Sequence, residues 1–385
     1  MRLVYQTALP LALATNYILS LAKNVEAVTL TNSDFESQQV MSAGVPNGSP
    51  PDTPASRVDP NTTTSQFAGV GSISINDPQA GSFLCTGSAI SPLHILTAGH
   101  CFDLSNNGRV DIPPENVTFY LNFGSNLSHS ILASSLLVHP NYQGFANPNF
   151  NDDLAIITLS RNLPAGVPIY NLYRQPMPVG QTLTMVGYGV AGNGLSGYFS
   201  GTSSFTRKRV GRNNADSFQP DDENPSSNRK EVFEFDFDGP DSSTNSLGGL
   251  TLGNDIETTF GAGDSGGPSF LELNGSLLLA GVNTFTLNAP EVRPGSFGTT
   301  GGGMITSSYA NWIDSVIRGG SFVVNSDSNT YGRNLVVTDN QRATNVQALS
   351  DSISVPEPSR LTGLILLGAG YLLKQRRRTQ ASQKN

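Results

Sequence analysis

The sequence predicts an all-β protein, a barrel or a sandwich, on three observations. Short runs of strand-forming residues recur along the chain, at 70–75, 117–123, 154–159, 181–188, 232–237, 276–285 and 322–324. The segments between them are rich in Gly, Asn, Ser and Pro, and 40 Gly with 24 Pro in 385 residues is a composition of many tight turns. Helical periodicity is nearly confined to 308–317, where Tyr309, Trp312, Ile313 and Ile317 fall on one face.

The two ends read as addresses. Residues 1–28 begin with Arg2, run through a patchy apolar stretch and end among small residues, as a secretory signal does; a buried N-terminal helix is the alternative. Residues 29–57 read as a propeptide or linker, because Pro46, Pro50, Pro51 and Pro54 leave no room for a helix. Residues 206–241 carry most of the mid-chain charge and read as a long surface loop with one strand. Residues 321–354 are a polar spacer. Val355-Pro356-Glu357-Pro358 then precedes an apolar run of 13 residues, 361–373, and a basic cluster at Lys374 and Arg376 to Arg378. The run is short against the roughly 17 residues that a bilayer span needs. The basic cluster stays on the cytoplasmic side and leaves the body outside. This order of parts resembles the PEP-CTERM sorting signal of bacterial exported proteins. The resemblance implies a short membrane segment at 355–385, transient membrane association and an envelope enzyme that processes the tail. An ordinary tail anchor also puts the body outside.

Only 14% of residues are charged and the net charge is -8, without a basic cluster in the body, so nothing points to nucleic acid. The four histidines (His94, His100, His129, His139) and the two cysteines have no zinc-ligand spacing, and no metal or cofactor is predicted. Asp236, Asp238 and Asp241 lack diagnostic calcium-loop spacing and read as a solvated acidic turn. In an oxidising compartment Cys85 and Cys101 can pair, closing a loop worth about 3 kcal/mol.

Acyl transfer by a serine needs a hydroxyl, a base within reach, a carboxylate to orient that base, and N–H groups aimed at the developing oxyanion. Gly263-Asp264-Ser265-Gly266-Gly267-Pro268 offers the hydroxyl and the N–H groups together, since glycines on both sides of Ser265 permit a sharp turn. Leu96-Thr97-Ala98-Gly99-His100-Cys101 places a histidine among small residues at the end of an apolar strand. These two segments look like the signatures of trypsin-like serine proteases. Cys85-Thr86-Gly87-Ser88-Ala89-Ile90 is similar to the family strand that carries the disulfide partner. Asn151-Asp152-Asp153-Leu154-Ala155-Ile156 resembles the family's aspartate segment, and matching its apolar run selects Asp153 over Asp152. Val186-Gly187-Tyr188-Gly189 and the helical segment from Ser307 to Ile313 complete a resemblance over about 65–318, in the family order His, Asp, Ser.

The resemblance implies one protease domain over 58–320, folded as two antiparallel six-stranded barrels with a short C-terminal helix. It implies His100 as base, Asp153 as its orienting carboxylate, Ser265 as nucleophile, and the Gly263 and Ser265 amides as oxyanion hole. The other histidines read as structural: His139 on a surface strand, His94 packed in an apolar run, His129 in a solvated turn. Thr259 stands where trypsins hold an acid, and Thr284-Phe285-Thr286 replaces the usual Ser-Trp-Gly. Together they imply a neutral pocket for small or medium apolar side chains. A zymogen cut after Arg57 would free Val58 to pair with Asp264. Three functions fit: an exported endopeptidase acting on protein or peptide, a catalytically silent protease-fold protein that binds surface partners, and an esterase.

Overall fold

The computed structural model describes residues 41–123, 128–144 and 150–319. The expected signal at 1–28, strand at 322–324, spacer at 321–354 and sorting tail at 355–385 lie outside the described residues. Among the described residues no helix is long and apolar enough to cross a membrane.

Among the described residues β1 (Met41–Ala43) comes first, and a closed six-stranded antiparallel barrel follows. Its strands are β2 (Val70–Asp77), β3 (Gly81–Ala89), β4 (His94–Thr97), β5 (Val117–Leu121), β6 (His129–Val138) and β7 (Ala155–Leu159). They are ordered β2-β3-β4-β7-β6-β5, and the pairing of β2 with β5 closes the ring. The reason is visible in β5, where Val117, Phe119 and Leu121 are buried and alternate with Thr118 and Tyr120. A strand's period of two turns every second side chain inward, here onto Ile73, Ile75, Ile95, Ile131 and Ile157. Each such burial contributes about 1.5–3 kcal/mol relative to exposure.

The second half adds β8 (Asn171–Leu172), β9 (Gln181–Gly187), β10 (Ala191–Asn193), β11 (Gly197–Tyr198), β12 (Arg209–Ala215), β13 (Ser217–Pro220), β14 (Lys230–Asp236), β15 (Pro268–Leu273), β16 (Ser276–Leu287) and β17 (Thr300–Ile305). The main sheet runs β12-β9-β15-β16-β17-β14-β13. β12 and β13 are one stretch interrupted only at Asp216, whose N–H donates to Glu234 O at 2.8 Å. That stretch leaves its pairing with β9 and takes up pairing with β14, so the sheet closes into a second six-membered ring. Packing explains the glycines of β17: a side chain at Gly301 or Gly302 would strike the rings of Phe235 and Phe285. Helix α1 (Thr306–Ile317) follows, burying Tyr309, Trp312, Ile313 and Val316. The all-β, two-barrel architecture with a short final helix is the one expected.

Three regions differ from expectation, each for a physical reason. Residues 206–241 carry three barrel strands where one was expected, because Lys208, Arg209, Glu231 and Asp236 are buried in the protein, while 223–230 stay exposed between β13 and β14. Lys208 Nζ donates to Phe67 O at 2.6 Å and lies 3.2 Å from Asp59, while Arg209 Nε donates to Pro54 O at 2.8 Å. In the same region Asp236 and Asp238 are buried, not solvated. Residues 41–57 are folded against the second half of the protein: β1 pairs parallel with β10 in a separate sheet ordered β1-β10-β11, and Asp52 holds both Gly44 N–H and the buried Arg57 guanidinium. His129 opens β6 and is not in a turn.

Candidate active site

Two strand ends in the first barrel bring His100 and Asp153 together. His100 follows β4 in a one-turn 3-10 helix, and Asp153 precedes β7, which pairs with β4. Gly99 keeps this junction thin, since its Cα faces the Asp153 carboxylate and the Tyr142 ring. Asp153 is buried and accepts twice from His100, from the backbone N–H at 2.8 Å and from ring Nδ1 at 2.7 Å. A carboxylate only accepts, so Nδ1 is the ring nitrogen that donates in this pair. Cys85 on β3 is bonded to Cys101 with a Cα–Cα distance of 6.5 Å, anchoring the residue next to His100.

Ser265 lies across the interface between the barrels, on the turn before β15. Its carbonyl accepts from Thr86 N–H at 2.8 Å and lies 3.9 Å from Cys101 Sγ. Thr86 also donates its hydroxyl to Gly263 O at 2.8 Å. The turn is therefore clasped by β3 of the first barrel, a role for Thr86 that its position in a strand motif does not announce. Gly263 and Gly266 have φ of 97° and 80°, which glycine adopts without strain. Around the turn, the N–H groups of Asp264, Gly266 and Gly267 are spent on Gly261 O, Asn283 O and Asp264 O. Among the described residues the N–H groups of Gly263 and Ser265 have no such acceptor.

Asp264 turns inward and accepts from Gly189 N–H at 2.7 Å and Gly261 N–H at 3.0 Å. Burial pushes its carboxyl up to about 7, against those hydrogen bonds and the pull of Arg209. Both Nη atoms of Arg209 are buried without a hydrogen-bond partner.

Among family models, the trypsin model matches residues 59–220, which covers the first barrel and the opening of the second and stops before the nucleophile turn. The fold is trypsin-like. No curated protein matches the sequence. Among solved structures, the chain is similar to the scabies mite inactivated protease paralogue S-I1, at 19% identity, covering 66% of this chain and 96% of that one with a TM-score of 0.42.

In this trypsin-like frame the expected pocket residues are spread over two walls. Thr259 is buried, bridges Ser42 of β1, and has no partner for Oγ1. Nearby Glu257 is turned away, its carboxylate accepting from Leu252 and Asp238 N–H. Thr284 is buried, and the Phe285 ring stacks on Phe150 with centroids 4.3 Å apart. Sequence reasoning missed Tyr198. Its hydroxyl donates to Phe260 O at 2.7 Å and is hydrogen-bonded to Thr286, and any side chain at Gly261 would strike its ring. Tyr198 thus stands between the two walls, brought there by the β10–β11 hairpin, and no local motif marks it.

The expected activation cut meets a different arrangement. The Arg57 guanidinium is buried, ion-paired to Asp52 at 2.5 Å and donating to Glu257 O at 2.7 Å. Val58 N–H donates to Ala55 O, and Val58 bridges Arg209. The side chain that would identify the cut is out of a protease's reach while the segment is folded. Of the remaining histidines, His94 is half-buried at the start of β4, and its Nδ1 lies 2.7 Å from Ser91 Oγ. His139 is wedged between Tyr309 and Trp312, off the exposed surface.

Proposed function

We propose that the protein is an exported serine endopeptidase with His100, Asp153 and Ser265 as its triad. The observation that carries this reading is the approach, across the barrel interface, of the segment holding the His100–Asp153 pair to a glycine turn whose Gly263 and Ser265 amides are unspent. His100 Nε2 takes the Ser265 hydroxyl proton as Oγ attacks the peptide carbonyl. Asp153 stabilises the resulting imidazolium, and the Gly263 and Ser265 amides hold the oxyanion. The imidazolium proton goes to the leaving amine, and water then hydrolyses the acyl-enzyme by the same steps. Export is supported by the Cys85–Cys101 disulfide, a bond that persists in oxidising compartments. Protein or peptide substrates follow from the reaction; envelope processing of the tail rests on the 355–385 pattern.

The specificity pocket of this enzyme is neutral and narrow. Thr259 supplies no charge, and Tyr198 occupies the space between the walls. Small apolar side chains are therefore preferred.

The deciding experiment compares the full chain with its Ser265→Ala variant by fluorophosphonate labelling and casein hydrolysis. Both signals are expected in the parent and lost in the variant. A folded, disulfide-bonded parent with neither signal sinks the peptidase reading in favour of a silent binding protein, and labelling with ester but no peptide hydrolysis favours an esterase. In a peptide library, Tyr198→Ala is expected to admit larger residues on the acyl side of the cut; an unchanged profile removes Tyr198 from the pocket.

A further inference from the structure

Four carboxylates converge directly behind the proposed catalytic aspartate. Asp152, Asp222, Glu223 and Glu231 each bring an oxygen to within 4.8 Å of the others. They come from the segment before β7, the turn after β13, and β14. Asp152 and Glu231 are buried, Asp222 is half-buried and Glu223 is exposed, so the group opens to solvent on one side. Glycine-free geometry helps to aim it: Asp152 has φ of 62°, and the preceding Asn151 donates to Pro220 O, Asp222 and Glu231.

The charges do not balance. Together with Asp221, five carboxylates face Arg229, which pairs with Asp221 and Glu231 at 2.7 Å, and His139, whose Nδ1 lies 3.0 Å from Asp152 Oδ1. Even a protonated His139 leaves an excess of negative charge, and buried charge persists only when paired or bound to a metal. A second observation stands apart from the charge count. Asp152 Oδ1 has no hydrogen-bond partner although its side chain is 3% exposed. Its contact with His139 is short but lies outside hydrogen-bonding geometry, and Nδ1 is equally unsatisfied. An orphaned buried acceptor calls for another partner.

We propose that Asp152, Asp222, Glu223 and Glu231 bind a divalent cation of calcium size, which ties the segment presenting Asp153 to the second barrel. An all-oxygen, all-carboxylate donor set selects hard cations. Oxygens on opposite sides of Ca²⁺ lie about 4.6–5.2 Å apart, against about 4.0–4.2 Å across Mg²⁺. A spread of up to 4.8 Å therefore suits Ca²⁺ without rearrangement. Protons are the competitor: burial and the neighbouring carboxylates push Glu223 and Glu231 up to about 8, and Glu223 lies close enough to Asp152 to share a hydrogen with it.

The test uses the full chain, stripped with EDTA, titrated with CaCl₂ by calorimetry and melted with and without millimolar CaCl₂. One Ca²⁺ per chain and a melting midpoint raised by about 5 °C or more are expected, with a smaller rise from MgCl₂. Glu223→Gln and Asp222→Asn, at the open rim, are expected to weaken Ca²⁺ binding by about tenfold or more. No binding heat and an unmoved midpoint in the folded parent overturn the proposal; so does equal affinity in parent and rim variants, which puts the ion elsewhere. If the rim variants do not fold, Tb³⁺ excited through the single tryptophan locates the ion, because Trp312 lies 4.9 Å from His139. Sensitised emission displaced by Ca²⁺ supports the site, and Ca²⁺ binding without it counts against. None of these readouts requires peptidase activity.

Discussion

The first barrel is filled by Ile73, Ile75, Ile95, Val117, Phe119, Ile131 and Ile157, whereas the second buries Lys208, Arg209, Glu231, Asp236, Glu257 and Asp264 among its apolar residues. Each barrel supplies one half of the proposed site. His100 and Asp153 hang from β4 and β7, whose positions depend on apolar packing and a disulfide. The Ser265 turn hangs from β15 and rests on hydrogen bonds, a buried carboxyl at Asp264 and clasping by Thr86. Apolar packing has no proton to gain or lose, whereas buried charge responds to pH. The difference therefore teaches that β4 and β7 are set by packing, while the Ser265 turn, like the Asp152 segment beside Asp153, rests on buried charge that protons and ions can adjust.

Three experiments break or sharpen this contrast. Asp153→Asn leaves the first barrel folded but misdirects the imidazole tautomer, and turnover is expected to fall about 10⁴-fold. A loss below tenfold would show that Asp153 is not what orients His100. Replacing Cys85 and Cys101 by Ala together is expected to cost about 3 kcal/mol in denaturant unfolding, with the loss confined to the first barrel and the His100 turn. An unchanged midpoint would mean that packing alone fixes that turn.

The smallest effect concerns pH. Burial pushes Asp216 up to about 8 and Asp238 and Glu257 to about 7, as it does Asp264. In the unfolded chain such groups titrate near 4. The folded chain thus binds more protons than the unfolded one between about pH 4 and pH 8, and stability must fall as pH rises through that window. Burial also lowers Arg209, to about 9, and Lys208. The melting midpoint in EDTA is expected to drop by a few degrees from about pH 5 to about pH 8. A flat or rising profile would mean that these carboxyls are compensated in the folded state. Added Ca²⁺ should flatten only the share of the slope that belongs to Glu223 and Glu231.

Much of this molecule is legible in its sequence where chemistry and pattern are local. The alternation of β5, the apolar run of β7 and the α1 face of Tyr309, Trp312 and Ile313 are read directly, because burial on one face forces a period of two or 3.6. The illegible parts are those where charge is buried. Residues 206–241 look like a loop because Lys208, Arg209, Glu231 and Asp236 mark solvent in most contexts, and their partners Phe67, Asp59 and Pro54 lie far away in sequence. Proline density at 46–54 likewise argues against a helix but is silent about docking onto β10.

By itself the sequence determined that the chain is all-β, that His100 and Ser265 sit in turns made of small residues, and that Cys85 and Cys101 have only each other as partners. Those properties depend on residue type and near neighbours, which a linear string contains. Tertiary structure alone decided that Tyr198 stands between the pocket walls, that Arg57 is locked against Asp52, and that Asp152, Asp222, Glu223 and Glu231 meet behind Asp153. Each of these rests on contacts between segments that are adjacent only after both barrels have closed, and on a local dielectric that exists only once water has been excluded.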